Sequence, residues 1–232
     1  MQLTNDGFYE IGGYTLYRSG FDIECLKDPK VIFEFGSYDG GDGVRFKTKF
    51  PDCRVISIEA DPVRYEIIKA MEEKLGIGLE VFNFAVSDID DEIDFYPTFD
   101  PNEDNPEGIG GSGSIHKKTQ KYKDTYTHLR ELEPTKVQSK KLKTVCKDLE
   151  IEEIDFLHMD VEGAEFKVLR GMFMLRPKMI FLEKHLGSEM YEGAYQWDHM
   201  SAYLRYLGYS LAAESPSDAI FIFSENSSSQ IF

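Results

Sequence analysis

A chain of 232 residues, 41% hydrophobic and 13% aromatic, carries enough apolar surface for one large packed domain, which argues against disorder throughout. Its formal net charge of −16 repels polyanions, whose binding needs clustered Lys and Arg, so the balance disfavours nucleic acid and favours a small neutral or cationic partner. The three cysteines, Cys25, Cys53 and Cys146, lie far apart in no metal-ligand spacing, which argues against a disulfide framework and fits a reducing compartment.

Residues 1–30 are expected to form an extension packed on the core. The first six residues show no basic region leading into an apolar run, so no signal peptide is expected. No apolar stretch approaches the ~20 residues that span a bilayer, and a cytoplasmic protein is expected. Residues 31–35 form an apolar run ending in a glycine-rich turn, the pattern of a buried strand. A short helix over 44–50 is stopped by Pro51, and a second strand follows at 54–59. Asp61 is placed to cap a helix with Pro62 in its first turn, running to Leu75 and ending at Gly76. A third strand is read at 79–85, and an extended, partly exposed one at 91–96.

Residues 97–113 are rich in Pro, Gly, Asn and acids without a hydrophobic period, and read as the start of a loop insertion reaching to about 135. Loops of this length in compact domains are usually functional. Its 108–113 portion is a candidate lid, and with 114–116 the loop is the candidate acceptor-binding segment. The basic runs at 117–123 and 136–147 read as solvated surface. Beyond lie a strand at 136–143, a short helix at 144–149, a strand at 154–160, a helix at 163–169 and a strand at 179–183. A helix at 196–207 ends at Gly208, and a strand pair at 209–213 and 219–223 turns around Ser215 to Asp218. Residues 225–232 read as a frayed tail. Strands alternating with helices imply an α/β fold: a Rossmann-like, mostly parallel sheet of about seven strands with an antiparallel edge and helices on both faces.

Five motifs fall at strand ends. In Phe33-Glu34-Phe35-Gly36-Ser37-Tyr38-Asp39-Gly40, Gly36 lets the backbone approach a ligand, the following helix start offers free N–H groups to a carboxylate, and Glu34 can counter an ammonium. Tyr38 stands where the dinucleotide fingerprint needs its middle glycine, which disfavours NAD. Glu59, followed by Ala60 and Asp61, ends the second strand about 20 residues on, where a carboxylate accepts from ribose hydroxyls. Ser87 and Asp88 follow the third strand and could reach an adenine edge. In Ile154 to Glu165, alternation puts His158 and Asp160 on one side, and Asp160 and Glu162 crowd two acids into one turn, which calls for a cation, a metal or a donor-rich ligand. Glu183 and His185 alternate onto one face at the end of the next strand and could take a proton.

Taken together, Glu34 to Gly40, Glu59 to Asp61, Ala85 to Asp88 and above all Asp155 to Glu165 resemble the FkbM-type methyltransferases, a branch of the class I S-adenosylmethionine-dependent enzymes. The resemblance runs from about Val31 to Phe223. It implies a class I methyltransferase domain over 31–224 and O-methylation, often of hydroxyls on sugars or polyketides. It carries cofactor binding onto Glu34, Gly36, Glu59, Ser87, Asp88 and Asp160, to which the local readings add Ser37, Tyr38, Gly40, Ala60 and Glu162. Family members usually carry lysine where this chain has His158, so a neutral imidazole base is weighed there. His158, Asp160, Glu183 and His185 are the candidate bases for in-line attack by an acceptor oxygen on the sulfonium methyl. Asp160, Glu162 and Glu183 could share a divalent ion, magnesium or manganese, that acidifies the hydroxyl. The acceptor is expected to be a small molecule or glycan. The rival readings are an NAD(P)-dependent oxidoreductase on the same sheet and a non-catalytic S-adenosylmethionine-binding module.

Overall fold

The computed structural model describes residues 2–3, 8–103, 105, 107–184 and 189–224. The chain begins with three short antiparallel strands, β1 (Gln2–Leu3), β2 (Phe8–Ile11) and β3 (Tyr14–Tyr17). The core then alternates β4 (Val31–Phe35), α1 (Gly41–Lys49), β5 (Arg54–Glu59), α2 (Pro62–Leu75) and β6 (Glu80–Asn83). A side structure follows: β7 (Ala85–Ser87), β8 (Asp91–Phe95), β9 (Thr98–Phe99), α3 (Gln120–Thr125), β10 (Arg130–Glu131), β11 (Thr135–Lys141) and α4 (Leu142–Asp148). The chain returns to the core with β12 (Phe156–Met159), α5 (Glu165–Gly171), β13 (Met179–Glu183), α6 (Trp197–Tyr206), β14 (Tyr209–Glu214) and β15 (Asp218–Phe223).

The main sheet has seven strands in the order β14-β15-β13-β12-β4-β5-β6. Neighbours from β6 to β13 are parallel, and β15 runs antiparallel between β13 and β14. The expected α/β architecture is therefore present, with its antiparallel pair at one edge. Alternation along the strands divides the core in two. Ile32, Val55, Phe156 and Phe181 face one side, packed on Val44 and Phe46 of α1, Ile68 and Met71 of α2, and Tyr9, Leu16, Phe21 and Leu26 of the N-terminal arm. Phe33, Phe35, Ile56, Ile58, Leu157, Met159, Ile180 and Leu182 face the other, against Val145 of α4, Val168 and Leu169 of α5 and Leu204 of α6. Both faces are covered, as a parallel sheet requires.

Most predicted elements appear with ends shifted by a few residues; three differ in kind. The third strand is two strands, because the Asn83 side chain donates to the carbonyls of Glu59 and Ala60 at 2.8 and 3.1 Å where pairing with β5 stops. Beyond it β7 joins a separate sheet, β7-β11-β8. The helix read from Gly163 begins at Glu165, since Glu162 and Gly163 are left-handed (φ 52° and 91°). The insertion is not bare loop: residues 97–135 contain β9, α3 and β10. Residues 225–232 and His185 lie outside the described residues. Among the described residues no helix is long and apolar enough to cross a membrane.

Candidate active site

The sheet face that is apolar lower down becomes polar at its carboxyl rim. Cross-strand register places Ser57, Glu34 and His158 in one row, with Phe181 beyond. Glu34 is fully buried; it accepts from Gly43 N and Ser37 Oγ, both at 3.0 Å, and from Ser57 Oγ. Burial, with Asp42 next in effect, pushes its carboxyl up to about 8. Glu34 thus ties the start of α1 to the sheet. Ser37 is part of that tie, and Gly40 supplies the left-handed N-cap of α1 (φ 79°).

His158 is stacked on Phe181 with ring centroids 4.6 Å apart. Its Nε2 lies 3.1 Å from Ser19 Oγ of the N-terminal arm and 3.7 Å from Asp42 Oδ2. Asp42 in turn pairs with the buried Arg45 at 2.6 Å. Burial lowers the imidazole's pKa, with Asp42 opposing it. The ring is held in a buried polar knot that fastens the arm to α1 and β12.

Two adjoining cavities open at the rim. The first, about 560 Å³, is bordered by Gly36, Tyr38, Glu59, Ala60 and Asp160, with an apolar slot of Ile58, Phe84, Ala85, Val86, Phe95 and Ile115. Glu59 is its buried acid: Oε2 accepts from Tyr38 N at 2.9 Å and Oε1 from Asp61 N at 2.8 Å. These donors fix the carboxylate in one pose, and each oxygen retains a lone pair for a hydroxyl. Burial pushes the group up to about 7 against those two N–H bonds. The slot beside it suits a flat aromatic base. Ser87 and Asp88 do not border it: Ser87 Oγ lies 2.6 Å from Ser139 Oγ, and Asp88 pairs with Arg170 at 3.2 Å.

Asp160 borders both cavities. The second, about 940 Å³, is lined by eight Asp or Glu side chains, among them Glu34, Asp160, Glu162 and Glu183, with His158 and no Lys or Arg. Tyr17, Asp39, Asp42, Asp100 and Glu103 also reach it. Of these only Asp39 lies inside a strand-end motif; Tyr17, Asp42, Asp100 and Glu103 come from the arm, α1 and the insertion and meet only in the fold. A third cleft, about 880 Å³, shares Ser112, Glu162 and Glu183 with the second and adds Tyr122, Tyr126 and Tyr191.

The insertion closes over the first cavity through Gly110, Gly111, Gly113 and Ser114. A clasp fastens it: Glu103 accepts from Tyr38 Oη at 2.9 Å and pairs with Arg64 Nη2 at 2.7 Å. Arg64 also lies 4.5 Å over the Tyr38 ring and donates to Ile109 O. A side chain at Gly111 would strike the Tyr38 ring. The Glu103→Gln variant leaves a buried guanidinium without its carboxylate. It is expected to loosen the insertion by about the worth of one charge-assisted hydrogen bond, roughly 1.5–3 kcal/mol. Limited proteolysis checks this: cleavage within 97–113 should quicken in the variant, and an unchanged cleavage rate would show that the clasp holds nothing.

A Rossmann-like sheet in this order, with a fixed carboxylate beside an apolar slot at its carboxyl rim, places a pocket where open α/β sheets bind their ligands. The family model described as the methyltransferase FkbM domain matches residues 34–211, and the chain belongs to that family. It is 29% identical over 176 residues to the 2-O-methyltransferase NoeI of Sinorhizobium fredii (strain NBRC 101917 / NGR234), covering 74% of this chain and 70% of that protein. Among solved structures, an O-methyltransferase from Bacillus cereus in complex with SAH aligns with a TM-score of 0.46 at 12% identity, over 85% of this chain and 75% of the other. A precorrin-6y C5,15-methyltransferase from Geobacter metallireducens GS-15 aligns with a TM-score of 0.44 at 11% identity, over 85% and 80%. The protein is an S-adenosylmethionine-dependent methyltransferase.

Proposed function

We propose that this enzyme methylates a hydroxyl oxygen of a neutral, sugar-like acceptor bound in the acid-lined cavity. One observation carries the reading: eight acidic side chains and no Lys or Arg line that space, of which Glu34, protonated at neutral pH, and Asp42 and Glu103, paired with Arg45 and Arg64, are neutralised. Such a wall repels phosphate and carboxylate acceptors, attracts the cationic methyl donor, and offers many acceptors to a ligand rich in O–H donors. The 2-O-methyltransferase named above points the same way.

The residues present fit the cofactor. Glu59 would accept the ribose hydroxyls, the slot from Ile58 to Ile115 would take the base, and Gly36 lets the backbone come close where a side chain would strike the Asp160 carbonyl. When bound, S-adenosylmethionine supplies an activated methyl group. The protein's own contribution is placement: the rim holds donor and acceptor near contact distance, and the closed insertion excludes water. Asp160, on the border of the two cavities, is assigned to the cofactor side. Among the described residues no group of three or more His, Cys, Asp or Glu, the Asp160, Glu162 and Glu183 set included, is disposed to hold a metal ion.

The test is transfer of labelled methyl to cellobiose, maltose and p-nitrophenyl β-glucoside, beside glucuronate and glucose 6-phosphate. Neutral sugars should be labelled and their anionic counterparts should not. Preference for the anions would overturn the reading.

A further inference from the structure

Resting on that reading, we infer that Glu162 is the carboxylate that takes the proton of the attacking acceptor hydroxyl, with Tyr191 and Lys118 as its positioning residues. The acids around the cavity differ in what already occupies them. Glu34 is committed to Gly43 N, Ser37 and Ser57. Asp39 accepts from Tyr17 N at 2.7 Å and Gly41 N at 2.9 Å, and burial pushes it up to about 6. Asp42 is paired with Arg45, Glu103 with Arg64, and Asp100 caps its own turn at Asn102. Asp160, on the border of the two cavities, is the acid assigned above to the cofactor. Glu162 and Glu183 both border the acid-lined cavity and the tyrosine-lined cleft, the position of a group between an acceptor and the rest of its binding site, and for Glu162 the surroundings add the Tyr191 hydroxyl and the buried Lys118.

Glu162 is also held from behind. The Tyr191 hydroxyl donates to its carboxylate, and Ser114 Oγ donates to its backbone carbonyl at 2.7 Å. Its backbone is left-handed (φ 52°) without being glycine, a strained state that persists where surroundings enforce it. A Cβ on Gly163 would meet the Tyr191 ring, so the glycine lets this tyrosine pack onto the turn. Lys118 is 2% exposed, its Nζ 5.3 and 5.9 Å from the ring centroids of Tyr122 and Tyr191, with no hydrogen-bond partner among the described residues. Burial draws its pKa down to about 8, with Glu162 and Glu131 opposing and Lys123 assisting. It is a buried cation whose charge Glu162 stabilises, and Glu162 also holds the Tyr191 phenol as a donor. In the transfer the acceptor's O–H bond breaks with its proton passing to Glu162 and the O–CH₃ bond forms. The S–CH₃ bond breaks with its electron pair left on sulfur.

The experiment compares wild type, Glu162→Gln, Tyr191→Phe and the double variant on whichever sugar of the panel above the wild type methylates best. Binding of S-adenosylhomocysteine is followed by calorimetry, and binding of the sugar to that complex by saturation-transfer NMR. Loss of the base is expected to lower kcat by about 10²–10⁴-fold with nucleoside and sugar binding preserved. Tyr191→Phe should lower kcat less, and the double variant no further than Glu162→Gln, as for residues acting as one unit. A Glu162→Gln enzyme that keeps its kcat, a loss confined to KM, multiplying effects of the two variants, or greater damage from Glu183→Gln overturns the assignment while leaving the sugar reading intact. Wild type that binds S-adenosylhomocysteine but labels no neutral sugar overturns both.

Discussion

Glu59→Gln is expected to bind S-adenosylhomocysteine about 10–100-fold more weakly than wild type, and to lose the wild type's pH dependence. An amide oxygen can replace one carboxylate oxygen, but the amide nitrogen then faces the N–H of Tyr38 or Asp61, which the carboxylate now satisfies. One charge-assisted hydrogen bond, worth roughly 1.5–3 kcal/mol, sets the scale. The pH dependence follows from a carboxyl pushed up to about 7 by burial. Below that pH the group is largely protonated and one oxygen must donate, so affinity should fall toward the limit of about tenfold per pH unit. The unliganded protein responds with the opposite sign. Glu59 and Glu34 have folded values of about 7 and about 8 against 4.5, so the folded state binds more protons than the unfolded one over that window. Their contribution to stability is full below about 4.5 and is lost as pH rises through 7 to 8, while nucleoside binding grows over the same range. Calorimetric titration and thermal melts between pH 5 and 8.5 measure both; wild-type affinity that stays level with pH would remove Glu59 from the ribose site.

Gly36→Ala should cost the fold at least about 3 kcal/mol. Gly36 has φ 76°, and a Cβ there would fall inside the contact shell of the Asp160 carbonyl oxygen. That obstacle is backbone, in the turn after β12, and it is pinned because Asp160 N donates to Phe35 O at 3.0 Å. Relief requires separating the two central strand ends that make the rim. For a chain of this size the melting temperature should drop by roughly 6–12 °C, at about 2–4 °C per kcal/mol. Gly76→Ala provides the comparison: it shares the left-handed backbone (φ 61°) but has nothing within 4 Å of an added Cβ, so only the conformational cost of about 1–2 kcal/mol applies. Equal losses at the two positions would show that conformation alone, and not the approach of the two turns, makes Gly36 necessary.

These expectations separate what could be read along the chain from what could not. The run Val31 to Phe35, the Asp61-Pro62 start and Gly76 stop of α2, and the Ser215–Asp218 turn between β14 and β15 are local signals, in which hydrophobic period, caps and turn residues act within a few positions. They were enough for the α/β sheet and its antiparallel pair. The place of Glu59 at a strand end near Gly36 was legible for the same reason, since both lie within one βαβ unit.

Ser87, Asp88 and His158 show where such reading stops. Strand alternation gave His158 its side of the sheet, but whether its nitrogen faced an acceptor or the arm depended on Ser19, which is 139 residues away in sequence. Ser87 and Asp88 followed a strand end as the pattern asks, yet that strand leaves the main sheet to pair with β11. The composition and local period of the chain by themselves determined the layers, the polarity of the rim and the acid at the second strand's end, because each is set by neighbours a few residues apart. Only the tertiary structure decided which acids share a cavity, which are neutralised by Arg45 or Arg64, and that the buried Lys118 interacts with Glu162. Burial and charge are properties of surroundings, and distant segments assemble them.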